Sequence, residues 1–249
     1  MSNFKLYSQY YDLLYKDKDY NVEADYVLTL SKKYKKNINN FLELGCGTGN
    51  HAAILCKQGY EVVGLERSPE MVEIAKQKSI TNFNPQVADI TSFQLDKKFD
   101  VAISLFHVIS YLTDNNDLIS CFKNVHTHLN SDGIFIFDIW YTPAVYFQQP
   151  ETRIKRLANT EIEIIRLAQS HIHHQTNVVD VNYEVMIKDK KSNISTSIFE
   201  KHPMRHFSIP EIELLATHTG FELVHTEEFL TANEPSENTW GVCFVLQKI

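Results

Sequence analysis

Apolar and polar positions along this chain change period twice, and the changes divide it into three stretches. In the first, helical spacings alternate with short continuous apolar runs. Val22, Tyr26, Val27, Leu30 and Tyr34 recur at helical spacing, which predicts a helix over Val22–Lys35 with Asn21 as its cap. Phe41–Leu44 is an apolar run of strand length; His51–Gln58 reads as a helix closed by Gly59. A second strand follows at Glu61–Leu65. Ser68 and Pro69 then open a helix whose inward stripe is Met71, Ile74 and Ala75. Pro85–Ala88 is the third strand, and Lys98–Leu105 is a fourth, continuous enough to be buried on both faces. Asp117–Leu129 is helical, Ser131–Gly133 a turn and Ile134–Asp138 a fifth strand. Such alternation predicts a parallel sheet with helices on its faces.

The second stretch alternates residue by residue. Runs within Arg153–Asp189, beginning at Glu161 and Val178, and a third over Ile194–His206 predict three antiparallel strands inserted into the fold. The third stretch returns to the first style. A helix starts at Ser208-Ile209-Pro210 and stops at Gly220, and strands Phe221–Phe229 and Thr239–Lys248 flank a polar loop. The expected organisation is a main domain of residues 1–152 and 207–249 with an antiparallel insert at 153–206. Ahead of all this stand Phe4, Tyr7, Tyr10, Tyr11, Tyr15 and Tyr20. Tyr7, Tyr11 and Tyr15 share one helical face, suited to packing on a domain edge or to a lid over a polar ligand.

Chemistry concentrates in Phe41–Asn50, where a strand runs into Gly45, Gly47 and Gly49 and then a helix. Glycines there allow positive φ and bare backbone against a ligand, with a helix N-terminus favouring negative charge. The dinucleotide spacing G-x-G-x-x-G would need a third glycine where Asn50 stands, and Glu43 lies inside the strand run. Glu66 and Asp89-Ile90 sit at carboxyl ends of the second and third strands, where open α/β sheets bind ligands. A carboxylate such as Glu66 can accept from both hydroxyls of a ribose. Asp89 can bond an exocyclic amine while Ile90 packs on a base. Phe106–Leu112, Trp140 and Tyr141 follow the fourth and fifth strands, where a second substrate would face the first.

Composition narrows the classes. A formal charge of −7 over 249 residues disfavours polynucleotide partners. No apolar run is long enough for a membrane span, and the start lacks a signal-peptide pattern, so a cytoplasmic protein is expected. Cys46, Cys56, Cys121 and Cys243 lie far apart without C-x-x-C spacing, which argues against zinc and a disulfide framework; Cys46 reads as a small spacer in the turn. His171 and His173 share a strand face, but no carboxylate at ligand spacing joins them, and no metal is expected.

The E-x-G-x-G-x-G form of Glu43–Gly49, with Glu66, Asp89-Ile90, the fourth strand and the final hairpin in order, resembles the class I S-adenosylmethionine (SAM)-dependent methyltransferases along the whole chain. That resemblance implies a doubly wound, Rossmann-like seven-stranded α/β sheet ending in an antiparallel hairpin, with the small antiparallel β insert added. Tyr10-Tyr11-Asp12-Leu13-Leu14-Tyr15, the stretch Asp19-Tyr20 to Glu23-Ala24, and the insert are similar to small bacterial N,N-dimethyltransferases of nucleotide-linked amino sugars. In those proteins the insert serves dimer formation and walls the substrate cleft, so a homodimer is implied. Tyr111 departs from their pattern, which has a histidine there.

Carried over residue by residue, the resemblance gives Gly45 and Gly47 to the methionine part of SAM, with Cys46 and Gly49 completing the turn. Glu43 lies near the ligand's amino group. Glu66 takes the ribose hydroxyls with Arg67 and Met71 beside it, and Asp89 and Ile90 the adenine. Leu105 lends backbone beside the sulfonium and Tyr11 covers it. The reaction is a direct displacement in which alignment is the main task. An amine acceptor must arrive unprotonated. His107, Tyr111, Tyr15 and His206 are the candidate bases, His107 foremost because it directly follows the fourth strand. The expected acceptor is a small polar metabolite, first the amine of a nucleotide-linked sugar and next another small amine or amino acid. The rivals of other classes are an NAD-linked oxidoreductase and a catalytically silent SAM-binding protein.

Overall fold

The computed structural model of the chain describes residues 13–15 and 18–249. They fall into two compact units, a larger one of Asp19–Gln148 with His206–Ile249 and a smaller one of Gln149–Arg205 with the described residues up to Lys18.

In the larger unit, β1 (Asn40–Leu44), β2 (Glu61–Glu66), β3 (Phe83–Val87), β4 (Phe99–Ser104) and β5 (Leu129–Tyr141) run parallel in the order β3-β2-β1-β4-β5. β11 (Gly241–Lys248) joins β5 antiparallel and β10 (Phe221–Glu228) pairs with β11 beyond it. The seven-stranded sheet with its terminal hairpin is therefore as expected. β4 is buried along its whole length, which is why its apolar run does not alternate. β5 divides its side chains between two cores. Phe135 and Phe137 join Leu118, Cys121, Phe122 and Val125 of α4 (Asn115–His128) with Ile212, Leu215 and Ala216 of α6 (Ile209–His218). Ile134 and Ile136 join Val27, Leu28 and Leu30 of α1 (Tyr20–Tyr34) with Ala52, Leu55 and Cys56 of α2 (Asn50–Lys57). The sheet is thus wound on both faces.

Several local expectations are corrected. Asp19, not Asn21, caps α1, its carboxylate accepting from the N–H groups of Asn21 and Val22 at 3.1 Å. On α3 (Pro69–Gln77) the buried residues are Val72 and Ala75; Met71 and Ile74 are half-buried, and Met71 turns toward the glycine loop. The turn expected at Ser131–Gly133 is a bulge inside β5: Leu129 pairs with Phe99, and the next register partner of Val101 is already Ile134. A short helix, α5 (Thr142–Gln148), was not expected. Ser208 precedes α6 without a side-chain capping bond. The outer strands β3 and β10 are irregular, Pro85 standing mid-strand in β3 and a register shift falling between Leu223 and His225 in β10.

The smaller unit is a four-stranded antiparallel sheet, one strand more than expected. β6 (Arg153–Ala158), β7 (Ile162–His173), β8 (Val178–Asp189) and β9 (Ser195–Phe207) pair in sequence order. β9 ends in the larger unit, where His206 and Phe207 pair with Trp140 and Tyr141 of β5. Leu13 and Leu14 pack with Ile162, Ile164, Val185 and Ile187, so these early residues belong with the antiparallel sheet and not with the main domain expected to start at residue 1. Among the described residues no helix is long and apolar enough to cross a membrane.

Candidate cofactor and acceptor site

The three glycines after β1 all take left-handed backbone, with φ of +71° at Gly45, +53° at Gly47 and +77° at Gly49. Two of these positions have a steric reason. A Cβ on Gly49 would lie 2.4 Å from the Phe83 ring, and one on Gly45 would lie 2.5 Å from Val108 Cγ2. At Gly47 nothing stands nearer than the Met71 sulfur at 4.0 Å, so that backbone faces open space. The Phe83 contact also explains why the last glycine comes at position 49. Asn50 meanwhile uses its amide oxygen to accept from Lys78 Nζ at 2.7 Å, and the same ammonium reaches Thr48 Oγ1 at 3.2 Å. Cys46 is buried beneath Gly64, where a Cβ would come within 2.7 Å of its sulfur. Burial, reinforced by Glu43 and Glu66, pushes this thiol far above its ordinary range and removes it as a nucleophile.

Glu66 at the end of β2 binds the turn to the next helix. Its Oε2 accepts from Gly47 N–H at 3.1 Å and its Oε1 from Ser68 N–H at 2.9 Å. Each oxygen keeps lone-pair capacity for a further donor. Arg67 beside it is exposed. Asp89 stands exposed beyond β3. Its Oδ1 accepts from the Thr91 N–H at 2.8 Å and the Thr91 hydroxyl at 2.7 Å, which hold the carboxyl below the usual range. Ile90 is half-buried against the core.

Below the turn, Glu43 is only 2% exposed, and its Oε2 has no hydrogen-bond partner among the described residues. Its Oε1 lies 3.4 Å from Nδ1 of His51, and the other ring nitrogen of His51 lies 2.7 Å from Glu23 Oε2. Burial opposes the charged imidazole, yet the two carboxylates outweigh it and raise the His51 pKa to about 9.

The segment after β4 forms the other wall. Leu105 is buried, and Phe106 and His107 both adopt left-handed φ, +67° and +60°, before a 3-10 turn at Val108–Tyr111. Two consecutive non-glycine residues in that region cost about 1–3 kcal/mol each, a strain that clusters at functional sites. Asp138 of β5, 1% exposed, secures the segment: its Oδ1 accepts from His107 N–H at 3.2 Å and its Oδ2 lies 2.7 Å from His107 Nδ1. Phe106 stacks on the His107 ring and Trp140 meets it edge-on; Trp240 packs edge-on against Trp140. Tyr111 is exposed beside them.

A model of the methyltransferase domain matches residues 41–133, from the first residues of β1 to the bulge in β5. The chain carries a methyltransferase domain. It aligns over 212 residues, at 28% identity and covering 83% of each chain, with YqeM of Bacillus subtilis. It is 27% identical over 177 residues to the dTDP-4-amino-2,3,4,6-tetradeoxy-D-glucose N,N-dimethyltransferase of Saccharopolyspora spinosa, covering 70% of each chain. Its fold is that of SAM-bound CalS10, an amino pentose methyltransferase from Micromonospora echinaspora, with a TM-score of 0.79 at 19% identity over 98% of this chain and 97% of that one. These findings favour the methyltransferase reading over the oxidoreductase alternative.

Of the residues expected to serve the methyltransferase, the structure gathers Glu43, Gly45, Cys46, Gly47, Gly49, Glu66, Met71 and Leu105 around the carboxyl ends of β1, β2 and β4. Asp89, Ile90 and Arg67 stand at the neighbouring strand ends. Tyr11 lies outside the described residues. Tyr15 packs on the apolar cluster of the smaller unit. His206 is fully buried, with Nδ1 against Thr142 Oγ1 at 2.9 Å, so it cannot meet an acceptor. Tyr141 packs on the core, and Trp240 stands in the aromatic group in its place. Glu23, Lys78, Asp138 and Trp240, which contact His51, Asn50, His107 and Trp140 in turn, were not read as site residues from the sequence; each comes from a distant segment. The rings of His171 and His173 meet edge-on, and Asp180 beside them is held by His173 Nε2 at 2.6 Å and Lys201 Nζ at 2.8 Å, a neutralised surface cluster.

Proposed function

We propose that the protein transfers methyl groups from SAM to the amine of a nucleotide-linked sugar. The observation that carries this reading is the pairing of His107 with buried Asp138 on a turn packed directly onto the glycine loop through Val108 and Gly45. The similarity to an amino-sugar N,N-dimethyltransferase over 70% of the chain supports the same acceptor class. The residues fit the cofactor. Glu43 offers a buried carboxylate oxygen without a partner, suited to an ammonium; Glu66 retains acceptor capacity for hydroxyls; and Gly47 faces open space. SAM supplies a methyl group activated by a positively charged sulfur.

The chain's own work is alignment and proton removal. Phe106, Trp140 and Trp240 present aromatic faces suited to a sugar or base. His107, with Nδ1 turned to Asp138, keeps Nε2 to receive the acceptor's proton: the N–H bond breaks, its electron pair stays on nitrogen, and a bond to Nε2 forms. A second methylation requires the same step again. Asp138 stabilises the resulting imidazolium and fixes the ring.

Four free, buried cysteines support a reducing, cytoplasmic setting. The exposed apolar residues Ile154, Ile194 and Phe199 of the smaller unit support a homodimer through its sheet, and the formal charge of −7 supports a small acceptor over a polynucleotide. The test is mass spectrometry of a panel of nucleotide-sugar amines and other small amines incubated with SAM. Methyl increments on a sugar amine are expected, falling by about 10²–10⁴ in His107→Ala with SAM affinity kept. Methylation of a peptide or RNA and no sugar overturns the reading.

A further inference from the structure

A buried histidine outside both substrate walls carries a second conclusion. His51, in the first turn of α2, is 7% exposed and has a carboxylate at each ring nitrogen, Glu23 of α1 at 2.7 Å and Glu43 of β1 at 3.4 Å. A neutral imidazole has one N–H, so only the imidazolium presents a donor to both. The edge of the Tyr20 ring closes the third side, and the buried thiols of Cys46 and Cys56 are the other titratable groups that sense Glu43. Glu23, 7% exposed, contacts the imidazole from the same helix that carries Tyr20.

We infer that Glu23 and His51 are positioning residues, a charged strut that aims Glu43 at the amino-acid end of SAM. This rests on the reading that Glu43 faces the ligand's ammonium. His51 takes one oxygen of Glu43 and leaves Oε2, buried and unpartnered, to the ligand. Glu23 in turn keeps His51 charged and its ring fixed, in line with the upward pKa shift to about 9. With three groups carrying one net negative charge, the strut has a surplus that a ligand cation neutralises. Were His51 neutral or absent, Glu43 would be free to turn, and its discrimination for an ammonium would be lost.

Titration calorimetry on the whole protein at neutral pH tests this with two ligands. S-adenosylhomocysteine carries the amino-acid end; 5′-methylthioadenosine shares the nucleoside and lacks that end. His51→Gln is expected to weaken the first by about tenfold or more and Glu23→Gln by several-fold, with the second changed by less than about twofold. The isosteric Glu23→Gln carries the test if His51→Gln fails to fold. Parallel loss of both ligands would make the strut a prop for the turn and overturn the inference, as would unchanged binding of both. Glu43→Gln separates the two readings. If it weakens S-adenosylhomocysteine while both strut variants bind normally, only the strut is refuted; if it binds normally, the placement of Glu43 is refuted as well.

Discussion

Replacing Gly45 by alanine forces two costs at one atom. The residue sits at φ +71°, which a Cβ disfavours by about 1–2 kcal/mol. That Cβ would also lie 2.5 and 2.8 Å from the two Val108 methyls. Valine branches at Cβ, so one rotation cannot move both methyls away, and overpacking of this kind costs about 1–3 kcal/mol. Gly45→Ala should therefore lose about 2–5 kcal/mol, with the melting temperature falling roughly 2–4 °C per kcal/mol for a chain of this size. Adding Val108→Ala removes both offending methyls and leaves the backbone strain. The double variant should recover the overlap share alone, about 1–3 kcal/mol. Urea and thermal unfolding of the wild type, both single variants and the double variant form the cycle. A double variant no more stable than Gly45→Ala would refute the steric account, and so would a Gly45→Ala protein as stable as wild type.

Three further outcomes follow from the same geometry. The His51 pKa rises from 6.5 to about 9 on folding, so its stabilisation is present in full below about pH 6.5 and lost as pH climbs through about 9. Urea midpoints of wild type and His51→Gln should accordingly converge between pH ~7 and ~10, and a constant gap would contradict the charged state. Glu66→Ala frees the N–H groups of Gly47 and Ser68 and, on the proposed reading, removes the ribose acceptor. SAM affinity measured by calorimetry should drop about ten- to several-hundredfold, and unchanged affinity in a folded variant counts against the ribose role. All four cysteines are buried, so iodoacetamide should label none in the native protein and all after denaturation; rapid native labelling of Cys46 would disprove its placement.

The sheet was legible because its strands are bounded by turn chemistry that acts locally. Gly45, Gly47 and Gly49 announce the turn, Ser68-Pro69 a helix start, and the unbroken Phe99–Ser104 run a strand covered on both faces. What stayed hidden is long-range. Asp138 lies 31 positions from His107 and Glu23 lies 28 from His51, and no periodicity links such pairs. β6 escaped because Arg153-Ile-Lys-Arg-Leu-Ala is half charged and mostly exposed, so its alternation carries no apolar face. The bulge at Asn130–Gly133 looks like an ordinary turn in sequence, since Asp132 and Gly133 suit either; only the pairing of Leu129 with Phe99 reveals the strand before it.

The irregular outer strands decide how this molecule can meet its own kind. An open strand rim invites other chains to add on without limit. Here Pro85 sits in the middle of one rim of the larger unit, and the displaced register at Leu223 and His225 deforms the other. In the smaller unit the first strand carries the exposed Arg153 and Arg156, like charges to any identical strand. Growth by strand addition is blocked at each of these three places, while Phe199 and Ile194 remain available on a surface of finite size. Concentrated solutions of this protein should therefore stay clear of fibres.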